Sequence, residues 1–112
     1  MNRYLIQASY QPEGAKGLLA QGGTSRRKQI EEMITKLGGK LETFYFAFGD
    51  TDVYAIAELP DPATAAAIGL TISGSGVVHT RTTVLLTADE IDQARNKHVE
   101  YLVPGTTQRA AA

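Results

Sequence analysis

Between Phe44 and Ile56 the chain reads Phe-Tyr-Phe-Ala-Phe-Gly-Asp-Thr-Asp-Val-Tyr-Ala-Ile, two aromatic and β-branched runs meeting at Gly49-Asp50-Thr51-Asp52. Strand-forming residues on both sides of a Gly/Asp turn specify a β-hairpin, because those turn residues tolerate backbone angles that others resist. The hairpin lies mid-chain, and this constrains everything around it. A helix-patterned segment precedes it, another follows it, and a strand pattern stands outside each.

Residues 3 to 10, Arg-Tyr-Leu-Ile-Gln-Ala-Ser-Tyr, read as the first strand. Pro12-Glu13-Gly14 ends it and opens a short helical turn through Leu18 and Leu19, which Gly22-Gly23 breaks. Thr24 or Ser25 is then positioned to cap a stronger helix. Ile30, Met33, Ile34 and Leu37 fall at i, i+3, i+4 and i+7, one apolar stripe, before Gly38-Gly39 stops it. The hairpin strands span about Lys40 to Phe48 and Asp52 to Leu59. Asp61 and Pro62 suit the cap and first turn of an alanine-rich helix to about Ser73. Val77 to Leu86 forms the fourth strand, and Thr87-Ala-Asp-Glu90 is a capping box opening a short helix to about Lys97. The order βαββαβ is that of an α+β, ferredoxin-like domain: a four-stranded antiparallel sheet with helices on one face. One domain over residues 1–98 is expected, with a C-terminal tail over 99–112 that is loose by residue 107.

Composition narrows the function classes. A net charge of −1 gives no global attraction to nucleic acid or anionic lipid. The ferredoxin-like topology is shared with RNA-recognition domains, but those carry a conspicuous basic surface, so no nucleic-acid partner is expected. The absence of cysteine removes disulfides, thiolate nucleophiles and cysteine metal sites. No run reaches membrane-spanning length, and the N-terminal apolar stretch is too short for a signal peptide. A cytoplasmic protein with no membrane partner, no metal and no cofactor is the expectation.

The hairpin strands also speak to assembly. In the second strand Leu41, Thr43, Tyr45 and Ala47 point one way and Phe44, Phe46 and Phe48 the other. In the third, Val53, Ala55 and Ala57 oppose Tyr54 and Ile56. A water-facing sheet alternates apolar with polar residues, so two apolar faces imply two covered faces. A domain this short has no spare element for the second, and a homodimer or higher homo-oligomer follows.

His79 and Arg81 are two residues apart in the fourth strand and share a face. An imidazole beside a guanidinium can take a proton while the guanidinium holds a carboxylate or enolate oxygen. The plainer alternative is a strand histidine satisfied by its neighbours, with Arg81 paired to a carboxylate. Asp50 and Asp52 flank the turn; turn formation accounts for Asp50, whereas Asp52, entering the strand, is also a ligand-binding candidate. Tyr45, Tyr54, Tyr4 and Tyr10 combine an aromatic body with a hydroxyl tip, useful in a pocket and equally in a core. Arg26-Arg27-Lys28 at a helix start could attract a phosphate, or could be neutralised by carboxylates such as Glu31, four residues beyond Arg27.

Tyr10 to Gly14, Arg27, Gly38-Gly39, Phe48-Gly49-Asp50-Thr51-Asp52-Val53, Pro60-Asp61 and Arg81-Thr82-Thr83, in this order over about ninety residues, resemble the GYD-domain proteins. That resemblance implies a ferredoxin-like dimeric α/β barrel, a fold whose relatives include cofactor-free oxygenases, lactone isomerases and haem enzymes. Thr51 stands where the family pattern has a tyrosine, which removes any role needing a phenol at the turn. The expected function is an oligomeric small-molecule binder with an enzyme-like pocket for an apolar or anionic ligand, served by His79, Arg81, Tyr45 and Asp52. The alternative is a non-catalytic sensing or assembly module.

Overall fold

A computed structural model describes residues 1–47, 49–105 and 109–111. The strands β1 (Asn2–Tyr10), β2 (Lys40–Phe46), β3 (Val53–Leu59) and β4 (Val78–Leu85) form one antiparallel sheet in the order β2-β3-β1-β4. Helices α1 (Pro12–Gln21), α2 (Gly23–Lys36) and α3 (Pro62–Gly74) complete the main body, with α2 and α3 laid on the sheet. This is the expected ferredoxin-like element order, with the first strand paired on both sides. Beyond it lie α4 (Ala88–Arg95) and a two-stranded ladder of β5 (Glu100–Leu102) with β6 (Arg109–Ala111). Phe48, at the end of the expected second strand, and residues 106–108 and 112 of the tail, expected to be loose by residue 107, fall outside the described residues.

One face of the sheet makes the core. Tyr4 and Ile6 of β1, Leu41 of β2, and Val53, Ala55, Ala57 and Leu59 of β3 are buried against Ile34 of α2 and Ala65 and Ile68 of α3. Small alanines in β3 and α3 let backbone layers approach closely, and Ile34 and Leu59 fill what remains. Of the predicted α2 stripe, Ile30, Met33 and Ile34 face this core, while Leu37 stays 42% exposed at the helix end.

Three expectations are corrected. The first helix is not a turn but a ten-residue helix, held at its start by the Gln11 N–H donating to Val77 C=O at 2.9 Å. Gly14 permits this approach, since a Cβ there would lie 2.2 Å from Val77 O. Neither Thr24 nor Ser25 caps α2; Gly22 stands at the cap and the two residues lie within the first turn. Finally, a β-bulge between Leu41 and Thr43 reverses part of the face assignment in β2. One extra residue changes strand parity, so Leu41 joins the core while Thr43 and Tyr45 face away.

The capping predictions for the later helices hold. Asp61 Oδ1 accepts the Thr64 N–H at 2.7 Å with Pro62 at the first helical position, and these bonds hold the Asp61 carboxyl below its ordinary pKa. In α4 the Thr87 and Glu90 side chains each accept the other's backbone N–H, at 3.1 Å both ways.

The hairpin closes with Ala47 N–H donating to Asp52 C=O at 2.8 Å, and Gly49 has φ +133° with nothing within 4 Å of where a Cβ would stand. Alanine would meet no clash there but would have to adopt a backbone angle that L-residues avoid. Gly49→Ala is expected to cost about 1 kcal/mol or more, read from urea unfolding; an unchanged midpoint would show that the turn relaxes freely.

Candidate functional site

Among the described residues no element covers the sheet face away from the helices, and the strand register lays its residues out in rows. Glu58, Arg3 and Leu85 form one row; Thr43, Ile56, Leu5 and Thr83 the next; Tyr45, Tyr54, Gln7 and Arg81 the third; Ser9 and His79 the last. The expectation of a second apolar face is therefore corrected. It rested on β2 and β3, whereas β1 and β4 contribute Arg3, Gln7, Ser9, His79, Arg81 and Thr83. The face is mixed, with polar groups gathered at its two ends.

One end is a closed ion cluster. Arg3 Nε donates to both Glu42 carboxylate oxygens at 2.9 and 3.0 Å, and Arg3 Nη2 to Glu58 Oε1 at 2.9 Å. Hydrogen bonding by Arg3 holds the Glu42 carboxyl below the usual range, and the two carboxylates hold the guanidinium above its own. The bulge makes this contact, since it carries Glu42 to the Arg3 side of β2. One guanidinium faces two carboxylates, so Arg3 is fully engaged and this end, offset only by nearby Lys40, does not favour an anionic ligand.

The other end is open. Arg81 Nη2 lies 3.4 Å from Thr51 Oγ1, which lies 3.5 Å from Gln7 Oε1. Both contacts are at the long limit for hydrogen bonds and therefore weak. Thr51 is the one buried polar residue among the described residues, 6% exposed, beneath an exposed Arg81. Among the described residues no carboxylate lies within ion-pair distance of Arg81. His79 is exposed one row on, opposite Ser9, whose hydroxyl donates to Asp50 C=O at 2.7 Å.

The four predicted site residues separate. His79 and Arg81 share the open face as strand parity required. Tyr45, 69% exposed, lies in the Arg81 row but three strands away, about 14 Å at ordinary strand spacing. Asp52 is engaged in the fold: its Oδ2 accepts the Tyr10 N–H at 2.8 Å and its own N–H donates to Ala8 C=O. Gln7 and Thr51 were missed. Only the strand register reveals Gln7, whereas Thr51 was visible as the departure from the family turn.

The other candidates resolve structurally. Tyr4 is a core residue whose hydroxyl has no hydrogen-bond partner among the described residues. Arg27 pairs with Glu31 at 3.7 Å, as the plainer reading held. Arg26 borders an apolar cavity between sheet, α2 and α3, but at about 40 Å³ it holds little more than a water. Among the described residues no group of His, Asp and Glu is placed to hold a metal ion, and no helix is long and apolar enough to cross a membrane.

A split βαβ domain with a filled helical core and an uncovered, partly polar sheet face defines a class of small α+β proteins. Within that class the family model of the GYD domain matches residues 4–94, and the chain belongs to that family. No curated protein and no solved structure matches it.

Proposed function

We propose that the chain is an oligomeric binder of small apolar anions, with the ligand held on the open sheet face around Arg81. The observation that carries this reading is the Arg81 guanidinium, exposed beside Gln7 and Thr51 with no carboxylate partner among the described residues. A guanidinium presents a planar fork that matches a carboxylate or enolate, and the neighbouring Tyr54 and Leu5 offer apolar surface to the rest of such a molecule. A partner subunit would supply the second wall, because a single flat sheet excludes too little water for strong ion pairing. His79, one row beyond, is in place to exchange a proton with a ligand acidified by Arg81.

Titrating benzoate and hexanoate while recording amide chemical shifts tests the proposal. Shifts should centre on Gln7, Thr51, His79 and Arg81, and Arg81→Ala should weaken binding about tenfold, the loss of one charge-assisted contact. Shifts absent, or unchanged in Arg81→Ala with the fold intact, would refute it.

A second reading, the non-catalytic assembly module, draws on two observations. His79 is exposed rather than enclosed, and the interior cavity is far below the several hundred cubic ångströms of a ligand pocket. Under this reading the carboxylates leave the amide spectrum unchanged.

A further inference from the structure

The turn between β2 and β3 is pinned to the end of β1 at three successive residues, Ala8, Ser9 and Tyr10. Ala8 C=O accepts the Asp52 N–H at 2.8 Å, Ser9 Oγ donates to Asp50 C=O at 2.7 Å, and the Tyr10 N–H donates to Asp52 Oδ2 at 2.8 Å. Thr51 lies between the two pinned aspartates, so its place is set by the fold. Its side chain is buried where Gln7 and Arg81 meet.

A buried hydroxyl held in this way has a chemical direction. Arginine only donates hydrogen bonds, and a threonine hydroxyl owns a single hydrogen. Thr51 Oγ1 therefore accepts from Arg81 Nη2 at 3.4 Å, and its hydrogen goes to Gln7 Oε1 at 3.5 Å. The reverse amide orientation would turn the Gln7 NH2 group toward Thr51 and leave the hydroxyl hydrogen buried with no acceptor among the described residues, the costlier arrangement. Long as both contacts are, they run in one sense, and Gln7 Nε2 is turned away from Thr51. Its N–H groups have no partner among the described residues, and Gln7 is only half-buried.

Gln7 and Arg81 stand directly opposite each other on β1 and β4. Side chains paired in this way have Cβ atoms about 5 Å apart. On its other side Gln7 is paired with Tyr54 of β3, 43% exposed. A cationic fork, an amide donor and an apolar body thus follow one another along a single row.

We propose that Gln7, oriented by Thr51, makes the open face selective for 2-oxo carboxylates with an apolar tail. This rests on the Arg81 reading above and sharpens it. The carboxylate lies on Arg81, the oxygen at C2 accepts from Gln7 Nε2, and the tail runs toward Tyr54 and Leu5. A keto oxygen suits the position because it only accepts, whereas a 2-hydroxyl group brings a hydrogen that needs an acceptor of its own. A plain carboxylate leaves the Nε2 donors unpaired once water is excluded, which is how a site built to hydrogen-bond one group rejects an analogue lacking it. Thr51 touches no ligand and is a positioning residue.

Matched ligands test this: 4-methyl-2-oxopentanoate and 4-methylpentanoate differ only at C2. Amide chemical-shift titrations of the full-length chain should show the oxo acid binding about tenfold more tightly, the worth of one added hydrogen bond. Gln7→Leu and Thr51→Val should bring the two affinities to within about twofold. Thr51→Ser, which keeps the hydroxyl, should preserve the preference, and Arg81→Ala should weaken both acids alike. A purely structural Thr51 would change stability and leave the ratio of affinities as it is, and that result overturns the proposal. Where Thr51→Val fails to fold, Gln7→Leu decides, since an unchanged ratio there is equally fatal. Equal binding of the two acids by the wild type overturns the 2-oxo selectivity with the Arg81 reading intact, and binding of neither overturns both.

Discussion

Replacing Gly39 by alanine is expected to lower the free energy of unfolding by about 3 kcal/mol, the upper range for forcing an extra methyl into a packed site. The new Cβ would lie 2.6 Å from Glu58 O, 2.9 Å from Leu59 Cδ2 and 3.0 Å from Ile34 Cγ2. Leu59 and Ile34 are the two most deeply buried large side chains of the core and have nowhere to retreat. Glu58 O belongs to the backbone of β3, opposite Lys40, so moving it disturbs the β2–β3 register. Urea unfolding measures the loss, and a cost below about 1 kcal/mol would mean that the α2–β2 junction has slack.

Gly14→Ala sets two effects against each other. Alanine in a helix interior is favoured over glycine by about 1 kcal/mol. Here the added carbon would sit 2.2 Å from Val77 O and 3.1 Å from the Tyr10 ring, so α1 must leave the start of β4 or the carbonyl must turn. The clash wins, and a net loss of about 2 kcal/mol is expected. Gly17, in the same helix with nothing within 4 Å of its would-be Cβ, is the internal control. Gly17→Ala should stabilise by up to about 1 kcal/mol. Equal effects at the two positions would show that helix propensity alone governs α1.

The contrast between Gly14 and Gly17 also shows what the sequence could and could not convey. Local signals were readable: the capping box at Thr87, the Asp61 cap, the glycine turn at 49 and the Ile30-Met33-Ile34 stripe are all short-range patterns, and the structure realises them. The ten-residue α1 was hidden because two glycines depress its intrinsic helicity, and its support comes from Val77, more than sixty residues away. The bulge in β2 was hidden because residue alternation cannot show where parity slips. That slip misassigned Leu41 and hid the role of Glu42 as the partner of Arg3. At the site, parity correctly united His79 with Arg81. It could not supply Gln7, whose proximity depends on pairing Gln7 with Arg81 across strands distant in sequence. Asp52 looked like a ligand residue because its type suits one, while its actual bond is to the Tyr10 backbone.

The strand order has a consequence for how the protein is made. β1 leaves the ribosome before the strands it pairs with, yet it lies inside the sheet, with Ala8 opposite Val53 on one side and Tyr10 opposite Val78 on the other. At ordinary rates of synthesis the interval from Tyr10 to Val53 takes roughly 2 to 9 s, and β4 follows later still. Throughout that time Tyr4 and Ile6 have only local chain to shelter them, which exposes the nascent segment to chaperones and to neighbouring chains. The first-made strand of the sheet waits longest for its partners.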